Sequence, residues 1–311
     1  MDIRFISAAQ MRAGLDFSGL IAHLHAAHRE PPPAVERVLM QHRSKVGNDD
    51  AMLVWPAWQH GRNLGVKVVT MFPGNRDLPG VQGVYLLFDG SNGAPQVVID
   101  GTELTYWKTA ADSALGASML ARADAHTLLM VGAGALAPHL VRAYQAIRPN
   151  LHQVLVWNRT PAKAAQLAAS ITALPAQACA DLEAAVRAAD IVCCATSSNT
   201  PLVRGAWLQA GTHLDLIGGF TPAMREADDE AVRRAQVYVD SRWFTVEHVG
   251  DLTQPIAHGV IGPHDIRGDL FDLCTGAQQG RTDAAQITLF KSGGGAHLDL
   301  MTAQYIAGKI P

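Results

Sequence analysis

The run Thr127-Leu128-Leu129-Met130-Val131-Gly132-Ala133-Gly134-Ala135-Leu136-Ala137 decides the fold. Thr127 to Val131 is a short apolar stretch of strand type, and Leu136 to Ile147 has the periodicity of a helix. Between them, Gly132 to Ala137 fits the pattern GxGxxA, the turn that joins the first strand of a dinucleotide-binding sheet to its helix. Gly132 permits the tight turn, Gly134 lets a pyrophosphate approach the backbone, and small Ala137 lets the helix pack against the strand. The helix start then offers free N–H groups and the positive end of its dipole to phosphate. Such a glycine pattern is weak alone, and its context strengthens it. Gln153 to Trp157, Ile191 to Ala195, His213 to Ile217 and Val237 to Asp240 read as strands, with helices at Pro161 to Ser170 and Asp181 to Ala189. This alternation predicts an α/β fold around a doubly wound parallel Rossmann sheet of about five or six strands.

Upstream the texture differs. Ser7 to Arg29 reads as a helix capped at Ser7 or Asp16. Beyond Pro31-Pro32-Pro33 come β-like runs at Ala51 to Trp55, Leu64 to Thr70, Val84 to Phe88 and Gln96 to Ile99, divided by Pro/Gly/Asn/Asp turns. They predict a mixed or antiparallel sheet in a second α+β domain, followed by a linking helix at Thr109 to Ala123. Ile287 to Phe290 reads as one more strand, followed by a final helix. The division expected is residues 1–113 with 288–311 as one domain and 114–287 as the dinucleotide domain.

The bulk numbers exclude several classes. The chain has 311 residues, 48% of them hydrophobic and 17% charged, an ordinary globular balance. A net charge of −3 gives no general attraction to nucleic acid. The longest apolar stretch, Leu128 to Ala137, falls short of the roughly 20 residues a bilayer needs. The N-terminus lacks a basic-then-apolar leader layout, so a cytoplasmic protein without membrane partners is expected. Cys179, Cys193, Cys194 and Cys274 form no CxxC, and Cys193 and Cys194 lie on opposite faces of one strand, so they read as packing residues. His23, His25 and His28 lack a companion ligand and read as an exposed helix edge. No metal is expected.

The candidate cofactor residues start with Gly132, Ala133, Gly134, Ala135 and Leu136. The second strand ends in Asn158-Arg159-Thr160, where a site selective for NAD places an acid on the ribose 2′-hydroxyl. An arginine fork suits a 2′-phosphate instead, so NADPH is expected as the preferred cofactor, with NADH also accommodated. The other reading of Arg159 and Thr160 is a cap for the helix that begins at Pro161. Ala195, Thr196 and Ser197 follow the next strand and belong to the same crevice.

Beyond this turn the sequence resembles the ornithine cyclodeaminase/mu-crystallin family over nearly its whole length. The carriers are Gly65-Val66-Lys67-Val68-Val69-Thr70, Leu104 to Ala111 (LTYWKTAA), the glycine-rich turn, Gly218-Gly219-Phe220-Thr221-Pro222 with Met224-Arg225-Glu226, and Phe290-Lys291-Ser292. The family includes ornithine cyclodeaminases, an alanine dehydrogenase branch, ketimine reductases and the NADPH-binding mu-crystallins. The resemblance implies a homodimer joined through the non-nucleotide domain, and the apolar richness of Leu64 to Ile99 agrees with that. It implies substrate-carboxylate contacts from Arg43, Lys67 and Lys108, the last standing where the family has arginine. It also adds Lys108, Thr109, Gly218, Phe220 and Ser292 to the cofactor set.

Phe220 is the more informative departure. Cyclodeaminases and alanine dehydrogenases carry aspartate there, and the cyclodeaminase reaction shuttles protons repeatedly, which a phenyl ring cannot do. The pattern is similar to the reductase branch. The function this implies is NADPH-dependent reduction of a small cyclic 2-imino acid, pyrroline-2-carboxylate or piperideine-2-carboxylate, to the amino acid. Lys67 is the candidate catalytic residue, because neighbouring cations lower a lysine pKa into the range of proton transfer. The alternatives are an ornithine cyclodeaminase or alanine dehydrogenase-like enzyme, and a non-catalytic NADPH-dependent binding protein.

Overall fold

The computed structural model describes residues 3–42 and 49–311. The chain forms two compact units, Met1–Lys108 with Gly295–Pro311, and Thr109–Gly294.

The first unit holds a seven-stranded sheet: β1 (Arg4–Ile6), β2 (Ala34–Val35), β3 (Val38–His42), β4 (Asp50–Gln59), β5 (Asn63–Met71), β6 (Val81–Asp89) and β7 (Pro95–Asp100). Its order is β1-β7-β6-β5-β4-β2, with β3 also on β4. β1 joins β7 in parallel and the remaining pairs are antiparallel. The four strands expected from sequence are β4 to β7. The three others are two to five residues long, too short to show a period of two. Strand alternation sends Tyr85, Leu87, Val97 and Ile99 inward. Helix Ala296–Lys309 packs on the sheet and Phe17–Ala27 packs on that helix, with Leu20, Leu24, Leu298 and Ile306 buried.

The expected N-terminal helix is two helices, because both candidate caps are used. Ser7 forms a capping box with Gln10 at the start of Ala8–Gly14. Asp16 accepts the Gly19 N–H at 2.6 Å at the start of Phe17–Ala27, and extended Leu15 separates the two. The linking helix begins earlier than expected and spans Gly101–Leu120. Asp100 accepts the Glu103 N–H at 2.9 Å and starts it, the role a short acidic side chain plays at a helix N-terminus.

The second unit holds eight strands, all parallel: β8 (Thr127–Val131), β9 (Gln153–Trp157), β10 (Ala176–Ala178), β11 (Ile191–Cys194), β12 (His213–Leu216), β13 (Gln236–Val239), β14 (Ile266–Gly268) and β15 (Thr288–Lys291). The order is β10-β9-β8-β11-β12-β15-β13-β14. The chain steps outward from β8 in one direction, then returns to β8's other side with β11, so the strand order reverses between β8 and β11. Both faces of such a sheet are covered, which is why β8, β11, β12 and β15 are buried at every residue. The two strands beyond the expected number, β10 and β14, are three-residue edges. One expectation is corrected here. Thr288–Lys291, assigned from sequence to the first domain, lies inside this sheet between β12 and β13. Its four buried residues need neighbours on both sides. The chain leaves this unit after the strand, at Gly294.

Among the described residues no helix is long and apolar enough to cross a membrane. Cys193, Cys194 and Cys274 are buried and Cys179 is half-buried.

Arg148 closes the C-terminal turn of Gly101–Leu120. Its guanidinium donates to the carbonyls of Ala117 (2.8 Å), Ser118 (3.1 Å), Ala121 (2.8 Å) and Arg122 (2.9 Å). Ala117 and Ser118 stand in the last turn of that helix and Ala121 and Arg122 just beyond it, where carbonyls run short of intrahelical partners. Replacing Arg148 by Met takes away the donor that the Ser118 and Ala121 carbonyls share, so urea unfolding is expected to show a loss of about 3 kcal/mol. An unchanged midpoint would mean that water replaces the guanidinium without cost.

Candidate functional site

The carboxyl ends of β8, β9 and β11 form a crevice of about 310 Å³. It lies where the strand order reverses, the position at which open α/β sheets bind ligands. Gly132, Ala133 and Gly134 line it from the turn after β8. Asn158, Arg159 and Thr160 line it after β9, and Ala195, Thr196 and Ser197 after β11. Gly132 has φ +111, and a Cβ there would come within 2.5 Å of the Ala195 carbonyl. A Cβ on exposed Gly134 would meet nothing within 4 Å, so this stretch of backbone is open to a ligand. The N–H of Gly132 donates to the Trp157 carbonyl at 2.8 Å, and that of Ala133 to Asn158 Oδ1 at 3.2 Å. Asn158 thereby ties the glycine turn to the end of β9.

The helix Ala137–Ile147 starts without a side-chain cap and without an acid in its first turn, so the positive end of its dipole is left open to an anion. Ala135 and Leu136, expected here, do not line the crevice; Ala135 is exposed, and Leu136 is the half-buried N-cap residue. Thr160 holds the N-cap position of Pro161–Ser170, yet its hydroxyl makes no capping bond. Arg159 is exposed and has no ion pair among the described residues. Lys163, one turn further, adds a second cation to the crevice that the sequence reading missed. An open glycine backbone, an uncapped helix start and two cations fit the phosphates of a dinucleotide.

Gly218, Phe220 and Ser292, also expected at the cofactor, stand outside this crevice. The Gly218 N–H is taken by Glu226 Oε2 at 2.6 Å. Ser292 is buried and donates to Asp112 Oδ2 at 2.9 Å. Phe220 is 67% exposed. Behind the loops lies a charged cluster absent from the sequence reading. Asp251 Oδ1 accepts the Glu226 N–H at 2.7 Å, while Asp251 Oδ2 pairs with Lys291 Nζ at 3.0 Å. Burial, with the Asp251 charge, pushes the Glu226 carboxyl up, against Lys291 and the Thr196 hydrogen bonds.

The first unit carries a second cluster. Lys67 Nζ lies 3.2 Å and Lys108 Nζ 3.4 Å from the same oxygen, Oδ1 of Asp299. All three side chains are buried. Lys67 is on the inner face of β5, two residues after Gly65 and in register with Tyr85 on β6. A Cβ at Gly65 would sit 2.1 Å from the Tyr85 hydroxyl, so the glycine makes room for the phenol beside Lys67. Lys108 projects from the helix Gly101–Leu120, and Asp299 from the first turn of Ala296–Lys309, where the helix dipole favours an anion. Tyr85 Oη and Asp299 Oδ2 are buried without a hydrogen-bond partner among the described residues. Two ammonium groups facing one carboxylate leave excess positive charge, which fits a small carboxylate ligand.

Burial, not the neighbouring cation, is the main reason that the Lys67 ammonium is pushed down to about 8; Asp299 opposes the shift and Lys108 adds to it. The sequence pointed only to the neighbouring cations. His28, expected at an exposed edge, is fully buried, and its Nδ1–H donates to the Leu24 carbonyl, 2.8 Å away. Burial pushes it down to about 4. Its ring meets His297 edge-on, and burial likewise holds His297 neutral. Thr109 follows Lys108 in the helix and is half-buried. Arg43 lies outside the described residues.

The family can now be stated, since residues 10–310 match the model of the ornithine cyclodeaminase/mu-crystallin family. The chain belongs to that family. Among its relatives is a Delta(1)-pyrroline-2-carboxylate reductase of Paracoccus denitrificans (strain Pd 1222), 44% identical over 308 residues, which are 98% of this chain and 96% of the relative. The protein SAR DEFICIENT 4 of Arabidopsis thaliana is 38% identical, over 97% of this chain and 96% of its own. A Delta(1)-pyrroline-2-carboxylate reductase of Thermococcus litoralis, solved in complex with NADH and L-proline, superposes with a TM-score of 0.91 at 29% identity, covering 99% of this chain and 97% of that one.

Among the described residues, Asp299 is the carboxylate that raises the Lys67 pKa. Asp299→Asn removes that charge, so the Lys67 ammonium is expected to titrate below about 8. Nitrogen NMR of lysine-labelled protein reads this directly. An unchanged or higher value would show that Asp299 does not set the charge state of Lys67.

Proposed function

We propose that this protein is an oxidoreductase of C=N bonds that reduces a small cyclic 2-imino acid, pyrroline-2-carboxylate or piperideine-2-carboxylate, to the L-amino acid with NADPH. The observation that carries the reading is the convergence of Lys67 and Lys108 on one buried point, which fits the carboxylate of an amino or imino acid. The reductases named among the relatives support the same substrate class.

The dinucleotide, when bound, supplies the hydride that reaches the imine carbon. Gly132 to Gly134 and the start of Ala137–Ile147 hold its pyrophosphate, and Arg159 with Lys163 takes the 2′-phosphate. Lys67, Lys108 and Arg43 hold the substrate carboxylate. Lys67 has the charge to bind that group and, with its pKa down at about 8, a proton it can give to the ring nitrogen near neutral pH. As pH rises through about 8 the ammonium deprotonates, so activity falls on the alkaline side. Exposed Phe220 has no proton to offer, which favours reduction over cyclodeamination of ornithine.

Each protomer of the proposed homodimer contributes its first unit to the contact. The support is the apolar surface there: Phe5 on β1, Val38, Leu39 and Met40 on β3, and Val81 and Val84 on β6 are all exposed.

The test is turnover of pyrroline-2-carboxylate followed by dinucleotide oxidation. Lys67→Met is expected to lower kcat/KM at least about 10²-fold while the dinucleotide still binds, because it removes a proton donor that acts in the transition state. An unchanged rate in the folded variant would move the substrate site elsewhere. Arg159→Asp is expected to weaken NADPH by about tenfold to a hundredfold and NADH far less, the value of one charge-assisted contact to the 2′-phosphate. Equal losses for both would make Arg159 a structural residue only.

A further inference from the structure

The segment Arg225-Glu226 ties together the loops that follow β11 and β12. The Glu226 carboxylate accepts the Thr196 N–H and the Thr196 hydroxyl, both at 2.7 Å to Oε1, and the Gly218 N–H at 2.6 Å to Oε2. Its backbone carbonyl accepts the N–H groups of Leu202 (2.8 Å) and Val203 (3.0 Å). Arg225 N–H donates to the Ser198 carbonyl at 2.8 Å. Thr196, Ser198 and Leu202 line the crevice; Glu226 itself is wholly buried behind it. Asp251 and Lys291 then anchor Glu226 to the start of Gly250–Ala257 and to the end of β15.

The glycines of the Gly218-Gly219 pair exist for this arrangement. A Cβ at Gly218 would lie 1.9 Å from the Thr196 carbonyl and 2.6 Å from Glu226 Oε1, and one at Gly219 would lie 2.5 Å from Asp251 Oδ2. The loops after β11 and β12 are pressed together with no room for a side chain between them. Only a group with two acceptor oxygens can satisfy the three donors that meet there.

In a doubly wound sheet the adenosine half of a dinucleotide lies over the first two strands, here β8 and β9, and the other half over the strands beyond the reversal, here β11 and β12. From this we infer that Glu226 is a positioning residue for the nicotinamide half: it fixes the β11 and β12 loops against each other and so sets the wall that this half of the cofactor meets. It touches neither cofactor nor substrate. The inference rests on the reading of the crevice as a dinucleotide site.

Glu226→Gln keeps the size of the side chain but turns one acceptor into a donor that faces the N–H of Gly218 or Thr196. Titration calorimetry with two kinds of probe separates positioning from general loosening. One probe is the whole dinucleotide, NADPH or NADH, whichever the unaltered protein binds more tightly. The other is its adenosine half alone, adenosine 2′,5′-bisphosphate or AMP respectively, which depends on Gly132 to Gly134 and Asn158 to Lys163. The expected result is a loss of at least about tenfold for the dinucleotide, or ~1.4 kcal/mol, with the adenosine probe within about twofold. Parallel losses for both probes would overturn the inference in favour of a general structural role, and no loss for either would overturn it outright. Glu226→Asp keeps the charge but is too short to reach both loops; it gives the same readout if Glu226→Gln does not fold. Unaltered protein that binds neither dinucleotide would instead remove the reading of the crevice, a result distinct from any of these.

Discussion

A carboxylate taken out of water must find its counter-charge inside the protein, and both units of this chain are organised around that constraint. In the first unit, fully buried Asp299 is the point on which Lys67 and Lys108 converge. Without it, two ammonium groups would face each other in a medium too poor in water to screen them. With it, they are held close, one is drawn toward neutrality, and an excess of positive charge remains for a ligand. In the second unit Asp251 and Lys291 form the buried pair from which Glu226 is hung. The partners come from different elements in each case, so folding itself assembles the charges.

The crevice follows a different logic, that of backbone. The reversal of strand order between β8 and β11 leaves the loops after β8, β9 and β11 splayed around a gap. Chemistry enters that gap through the open backbone at Gly134 and the positive end of an uncapped helix, with Arg159 and Lys163 as the cations at its edge. Anion binding by main chain tolerates little substitution. Gly132 is excluded from carrying a side chain by its φ and by the Ala195 carbonyl. Side chains such as Arg159 and Phe220 stand free of such restraint and are where members of one family can differ in cofactor or reaction.

Much of the second unit was legible in the sequence because short, mostly apolar strands alternate regularly with helices across plain turns. Strands at Thr127–Val131 and Gln153–Trp157 and the helix Pro161–Ser170 fall where the pattern placed them. The glycine turn and Asn158 to Thr160 could be assigned to one crevice because a parallel sheet puts every strand end on the same side. Lys67 was marked by the family pattern Gly65 to Thr70. The cluster of Glu226, Asp251 and Lys291 was not, since nothing in a linear pattern marks which acid is buried beside which base. Lys163 was hidden for a simpler reason: one turn of helix carries it back to the crevice.

The sequence by itself determined local conformation: which segments alternate, where Ser7 and Asp16 start helices, and where only glycine can turn. These depend on neighbours a few residues apart. The tertiary structure alone decided partnership across the chain. It seated β15 between β12 and β13, where its four buried residues find hydrogen bonds on both sides. It set Asp299 against Lys67, 232 residues away. It also made burial, rather than a neighbouring cation, the force that lowers the lysine's proton affinity. Burial is a property of the packed whole: a charge is desolvated by everything around it, and no stretch of sequence states what that will be.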